Sequence, residues 1–190
     1  MFESMLTPDR IAPEKVRPLK RTEYDRLVEL GVFEDERVEL LQGVLVEMSP
    51  QDPEHAYVIS RLHRILDRRV PAGWMVRAQF PLALTDDSEP EPDLAVVTDD
   101  DYRHAHPSRA VLIVEVANSS IRKDRDLKTD LYARAGVDEY WIVDLTKGIV
   151  EVYRDPADGT YRVCYVRGRG ETITPVRLPT VTVRVDDFMP

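Results

Sequence analysis

The sequence predicts an α/β fold: a mixed central β-sheet flanked by helices, with an additional antiparallel hairpin. Three observations predict it. Helical and strand-like patterns alternate along the chain, in the order helix, strands, helix, strands, helix, strands. One run, Val111-Leu112-Ile113-Val114, is apolar without interruption, as in a strand buried on both faces. Two alternating runs, Ile149 to Tyr153 and Tyr161 to Val166, flank the turn-rich stretch 155–160, which reads as the hairpin.

The 190 residues suffice for one domain with a substantial core. Residues 1–21 carry Pro8, Pro13 and Pro18 among mixed charges and read as an extended N-terminal arm, a candidate for packing against a partner subunit. Residues 22–190 read as a single domain, with no repeat, low-complexity tract or linker. No apolar run reaches the ~18 residues of a membrane span, and Met1 to Lys20 lack the apolar core of a secretory signal. The one cysteine, Cys164, excludes an internal disulfide and a cysteine-rich zinc site. A cytoplasmic location with no membrane partner is expected. The net charge of −9 argues against a general nucleic-acid binder but leaves room for local basic patches.

Thr22 can cap a first helix through about Leu30, which Gly31 stops. Arg37 to Met48 reads as two short strands about Gln42-Gly43. Met48 to His55 is a loop marked by Pro50 and Pro53. Tyr57 to Val70 is an amphipathic helix: Val58, Leu62, Ile65 and Leu66 share one face, and Arg61, Arg64 and Arg68 share another. That basic stripe reads either as a solvated outer face or as a phosphate-contacting, nucleic-acid-binding surface. Trp74 to Leu84 reads as a strand with Pro81 at an edge or bulge. Thr85 to Glu91 is an acidic turn, and Asp93 to Val97 is the next strand. Asp99-Asp100-Asp101 reads as a solvated loop, and His104 and His106 lack an evident third ligand. Ala110 to Ala117 is the central strand. A helix follows from about Lys123 to Ala135 and stops at Gly136. Glu139 to Leu145 is a largely apolar strand, and Val181 to Val185 a last edge strand.

The chemistry concentrates between Pro92 and Lys128. Glu115 ends the central strand, where a carboxylate is costly unless it is paired or binds a metal. Asp93 opens the preceding apolar strand. At about 100° per residue, Leu127, Leu131 and Ala135 share one face of the following helix, and Asp124 and Lys128 lie on or beside that arc. Asp124 and Lys128 read either as a simple i,i+4 ion pair or as part of a site. Two carboxylates on neighbouring strands beside one lysine make a minimal kit for metal-assisted phosphodiester hydrolysis. Glu39 reads either as a solvated charge on a strand face or as a third acidic group near the metal. His55 and His63 are each more often structural than ligands.

A family resemblance rests on these residues. The pattern comprises Pro92-Asp93, Glu115-Val116, Asp124-x3-Lys128-x3-Tyr132, and the stretch from Ala135 to Asp144 that contains Glu139-Tyr140-Trp141. The N-terminal elements Glu39-Leu40-Leu41-Gln42-Gly43, Met48-Ser49-Pro50 and His55 also fit. Together they resemble the bacterial Uma-two family, whose members are described as candidate restriction endonucleases with a PD-(D/E)XK nuclease fold. The resemblance runs from about residue 22 to 185. It implies a restriction-endonuclease-like core, with Asp93, Glu115, Lys128 and Glu39 as catalytic residues and Asp124, His55 and Tyr132 in support. The superfamily places a lysine two residues after the glutamate; here that position is Ala117, and the resemblance implies that Lys128 supplies the ammonium.

The expected mechanism uses Mg²⁺, or Mn²⁺ in its place, held by Asp93, Glu115 and the Val116 carbonyl. Lys128 would orient the attacking water or neutralise the phosphate. The simpler alternative is a buried Glu115–Lys128 ion pair. Three classes stay open: a Mg²⁺-dependent DNA endonuclease with a restriction or defence role, a nuclease-fold protein that binds nucleic acid or a partner without cutting, and an assembly module. In the last, the hairpin around Tyr153 and Tyr161 would build a homo-dimer or higher homo-oligomer.

Overall fold

The structure, a computed structural model, describes residues 16–118 and 124–190, with the Asp124 side chain outside the described residues. The body of the predicted N-terminal arm also lies outside them. Its described end is pinned: the Leu19 N–H donates to the Gly43 carbonyl at 3.0 Å.

Helix α1 (Arg21–Glu29) begins before Thr22, the expected cap. The Glu23 side chain closes back on the Lys20 N–H at 2.9 Å, and the Arg21 N–H finds the Asp86 carbonyl at 2.7 Å. These partners satisfy the helix start from outside Thr22. Strands β1 (Val38–Leu41) and β2 (Val44–Glu47) form a separate antiparallel hairpin. Gln42 and Gly43, with φ of 49° and 78°, make its two-residue turn.

Helix α2 (Pro53–Asp67) starts four residues before the expected Tyr57 and ends earlier than Val70. Asp52 accepts the His55 N–H at 2.9 Å, and Pro53, which has no N–H to satisfy, takes the first turn. The consequence is functional: His55 is fixed in the first helical turn instead of floating in a loop.

Six strands form the main sheet, in the order β3 (Trp74–Ala78), β4 (Leu94–Thr98), β5 (Leu112–Ala117), β6 (Glu139–Asp144), β7 (Ile149–Ala157) and β8 (Thr160–Arg167). All neighbours are antiparallel except β5 and β6. A parallel pair needs a crossover, here the segment containing a π-helical turn (Asp124–Lys128) and α3 (Thr129–Arg134). The regular helix expected over 123–135 is therefore replaced in its first half by a wider turn, which re-aims its side chains.

The expected strand from Trp74 to Leu84 stops at Ala78, because Gln79 turns the chain with φ of 55°. The hairpin expected at 149–166 is longer and continues the main sheet as β7 and β8. Its loop shrinks to Asp158-Gly159, since Asp155 is absorbed at φ 57° and pairing resumes at Pro156↔Tyr161. The last strand, β10 (Val183–Arg184), pairs with β9 (Thr172–Ile173) in a separate ladder and not at the edge of the main sheet.

The sheet divides two apolar layers. Val114, Val116, Trp141 and Val143 pack with α2 and the C-terminal Val181, Val183 and Phe188 on one face. Ile113, Ala117, Tyr140 and Ile142 pack with Leu41, Leu131 and Tyr132 on the other. Every residue of β5 is buried. The period of two in a strand assigns Glu115, with its neighbours Ile113 and Ala117, to the second face, under the β1–β2 hairpin and α3.

Candidate functional site

The ladder Leu94↔Val114, continued one step, sets Asp93 directly opposite Glu115. Asp93 lies just before β4 and is 8% exposed; Glu115 is 4% exposed. The Asp93 Oδ2 accepts the Val116 N–H at 2.8 Å and contacts His55 Nε2 at 3.0 Å. Its Oδ1 accepts the Gln79 side-chain amide at 3.4 Å. Across the pair, Glu115 Oε1 accepts Lys128 Nζ at 2.7 Å and the Tyr132 hydroxyl at 2.7 Å.

Glu39 completes this cluster from the β1–β2 hairpin. It is fully buried, with Oε2 3.4 Å from Lys128 Nζ and 3.3 Å from the Glu91 N–H that donates to it. A solvated charge on a strand face is thereby ruled out. Lys128 reaches between Glu39 and Glu115 because the π-helical turn points it inward. The same turn is anchored by Arg125, which bonds both Glu151 and Asp144 on β7 and β6.

Glu39, His55, Asp93, Glu115 and Lys128 line a solvent-open cleft with Arg37, Asp52, Gln79 and Asn118. Five carboxylates line it (Glu39, Asp52, Glu91, Asp93, Glu115) against two permanent cations, Arg37 and Lys128. Burial of the His55 ring works against its proton. The Asp93 hydrogen bond and the surrounding carboxylates outweigh burial and raise its pKa above the ordinary histidine value. Burial, then the Glu115 charge, raises the Tyr132 phenol far above its usual range, so it stays a hydrogen-bond donor.

A hard divalent cation fits this donor chemistry. The cleft has a surplus of negative charge, and facing carboxylates supply the oxygen ligands that Mg²⁺ prefers. Among the described residues no group of three or more His, Cys, Asp or Glu forms a ready metal cage. Mg²⁺ commonly binds through one or two carboxylates and completes its shell with water and substrate oxygens.

A family model described as "Uma2: Putative restriction endonuclease" matches residues 21–186. The chain belongs to the Uma2 family. No curated protein matches it. Among solved structures, that of "a putative nuclease belonging to DUF820" from Anabaena variabilis ATCC 29413 is similar, with a TM-score of 0.68. The match covers 90% of this chain and 98% of that one, at 14% sequence identity. It shows a shared fold, the mixed α/β architecture with its six-stranded central sheet.

In this Uma2 chain, Asp93, Glu115, Lys128, Glu39, His55 and Tyr132 lie together, and Val116 lines the same cleft. Asp124 lies at the start of the π-helical turn; its side chain is outside the described residues. The stripe of Arg61, Arg64 and Arg68 is exposed and does not line the cleft. Arg61 is also engaged elsewhere, donating to the Asp187 carbonyl at 3.1 Å.

Sequence reasoning missed Gln79, Arg37, Asp52 and Asn118. Asp52-Pro53 carried a readable signal, a capping residue before a proline at the first helical position. Gln79 carried none, because a positive φ at a non-glycine residue leaves no mark in composition. No helix among the described residues is long and apolar enough to cross a membrane.

Proposed function

We propose that this Uma2 protein is a divalent-metal-dependent endonuclease that hydrolyses DNA phosphodiester bonds, in a restriction or defence role. One observation carries the reading: Asp93 and Glu115 face each other across adjacent strands in an open cleft, with the Lys128 ammonium 2.7 Å from Glu115. Family membership and the nuclease named in the Anabaena structure support it.

Asp93 and Glu115 would hold Mg²⁺ or Mn²⁺, with the Val116 carbonyl as a third oxygen. The bound ion supplies Lewis acidity toward a phosphoryl oxygen and lowers the pKa of a water. The protein positions and balances charge around that chemistry. His55 fixes the Asp93 carboxylate through Oδ2, and Tyr132 fixes Glu115 through Oε1. Lys128 places a compact positive charge where negative charge builds on the phosphate in the transition state. Glu39 holds the lysine from its other side, so the ammonium is oriented before substrate arrives. Ala117, on the same strand face as Glu115, leaves the ammonium to come from α3's side of the cleft.

A second reading, a nuclease fold that binds DNA without cutting, is favoured by the same Ala117 and by the engagement of Lys128 with two carboxylates. Plasmid and oligonucleotide cleavage with Mg²⁺ or Mn²⁺ separates the two. Metal-dependent cutting lost in Glu115→Gln supports the endonuclease; binding without cutting under every metal condition favours the second reading.

A further inference from the structure

Strand β3 leaves the sheet at Gln79, whose left-handed φ of 55° is costly for a non-glycine residue. The bend is held by its N–H, which donates to the carbonyls of Pro92 (3.1 Å) and Asp93 (3.2 Å). The next residue, Phe80, is 56% exposed, more than any other aromatic side chain among the described residues. A single exposed phenyl is ordinary by itself. This one is held in place: the Arg77 guanidinium lies 5.1 Å from its ring centre and 5.4 Å from that of Tyr102. Tyr102 is fixed in turn by its hydroxyl, which donates to the Thr98 carbonyl at 2.9 Å.

Arg77 is also electrically uncompensated. Among the described residues it has no ion pair, and its buried Nε has no hydrogen-bond acceptor. Burial lowers its pKa. A guanidinium held against aromatic faces without a counter-ion suits an oxyanion such as phosphate, two of whose oxygens can accept from its fork of N–H donors. An ordered aromatic ring with an open face suits a nucleobase.

We propose that Phe80 and Arg77 form a nucleotide subsite beside the cleft, where the phenyl ring stacks on an unpaired base and the guanidinium takes an adjacent phosphate. The proposal rests on the nuclease reading and adds a substrate class to it. Inside a duplex both faces of a base are covered by its neighbours, so away from duplex ends only a single-stranded or extruded nucleotide offers a face to Phe80. Phe80 directly follows Gln79, whose amide reaches Asp93 Oδ1 at 3.4 Å.

The test uses a single-stranded oligonucleotide carrying 2-aminopurine and its blunt duplex, bound without divalent metal and read by fluorescence and anisotropy. The proteins are the parent, Phe80→Ala, Phe80→Trp and Arg77→Gln. The parent should prefer the single strand and change 2-aminopurine fluorescence through stacking. Phe80→Ala should weaken single-strand binding about tenfold or more while leaving duplex binding within about twofold. Phe80→Trp should restore it, and Arg77→Gln should flatten the salt dependence by about one counter-ion. A parent that does not bind single strands, or a Phe80→Ala protein that binds both forms as the parent does or loses both equally, overturns the subsite. Plasmid cleavage tests the nuclease reading separately. A parent that cuts while Phe80→Ala binds unchanged keeps the nuclease and removes the subsite. A parent that binds through Phe80 and cuts nothing does the reverse.

Discussion

The ammonium of Lys128 sits 2.7 Å from Glu115 Oε1, and the two side chains are only 4% and 6% exposed. Glu39 lies on its other side at 3.4 Å and is fully buried. Two buried carboxylates thus share one cation, and Asp93 stands opposite Glu115 across the ladder. Buried charge is tolerated only when compensated, which makes this cluster sensitive both to substitution and to added cations.

Lys128→Met separates a structural from a catalytic role. Without metal, loss of the ammonium that both buried carboxylates contact should lower stability by roughly 3–5 kcal/mol. With Mg²⁺ at saturating concentration, much of that loss should return, because the ion replaces the missing positive charge. Cleavage should stay at least about a hundredfold below the parent, since an aligned charge acts on the transition state. Chemical denaturation with and without Mg²⁺, alongside plasmid cleavage, reads all three. A variant that cuts as fast as the parent removes Lys128 from catalysis.

A divalent cation should stabilise the fold through Asp93. At about ten times its dissociation constant, a ligand bound only to the native state adds roughly 1.4 kcal/mol. Thermal melts with Mg²⁺ or Mn²⁺ should show that shift for the parent and lose it for Asp93→Asn. Equal shifts in both proteins would sink the shared-site reading.

Arg125 is expected to matter through the turn that carries Lys128. It bonds Glu151 and Asp144, which are nearly buried, at 3.0 Å each. Arg125→Met should cost roughly 2–4 kcal/mol by removing the guanidinium that both carboxylates bond, with Lys147 still 3.8 Å from Asp144. Cleavage should also fall as Lys128 loses its alignment, whereas Arg125→Lys should recover part of both. Loss of stability with full activity per folded molecule would limit Arg125 to a structural role.

Stability should carry a pH signature from Glu89. Burial, followed by the neighbouring Asp25 carboxylate, pushes Glu89 up to about 7 from 4.5, partly offset by Arg21. Its Oε1 is also 4.0 Å from His106 Nε2. The folded protein holds this proton more tightly than the unfolded chain does. The Glu89 contribution is therefore complete below about pH 4.5 and is lost as the pH rises through about 7. The His106 pKa, lowered by burial and then by Arg77, acts in the opposite direction below the ordinary histidine range. The parent and Glu89→Gln should consequently diverge across this window, with the variant showing the smaller loss toward pH 8. Parallel urea-denaturation profiles from pH 4.5 to 8 would contradict the assignment.

Gly43 fixes the hairpin that delivers Glu39. A Cβ built there would lie 2.2 Å from Pro18 Cβ and 2.8 Å from Pro18 Cα, at a φ of +78°. Gly43→Ala should cost roughly 2–4 kcal/mol, the sum of backbone strain and steric clash. Gly148→Ala is the control, with a similar φ of +64° and nothing within 4 Å of the new methyl group. It should cost only about 1–2 kcal/mol. Equal losses in the two variants would show that the 16–20 segment yields without cost.

Local pattern was enough to identify several parts of this protein. The apolar run before Glu115 announced a strand buried on both faces, because its side chains alternate to opposite sides and every side is apolar. The apolar spacing of Val58, Leu62 and Leu66 announced the α2 face that packs on the sheet. Asp93, Glu115 and Lys128 could be nominated because buried charge demands compensation wherever the chain folds. Tertiary structure decided how they meet. The antiparallel register set Asp93 opposite Glu115, and a one-residue slip would have turned either away. The π-helical turn aimed Lys128 at Glu115, although a regular helix fitted the spacing equally well. The β1–β2 hairpin carried Glu39 under the same lysine, and the bend at Gln79 set Phe80 beside the cleft. Periodicity is a property of neighbours along the chain; convergence depends on register and crossovers, which arise from contacts between segments far apart in sequence.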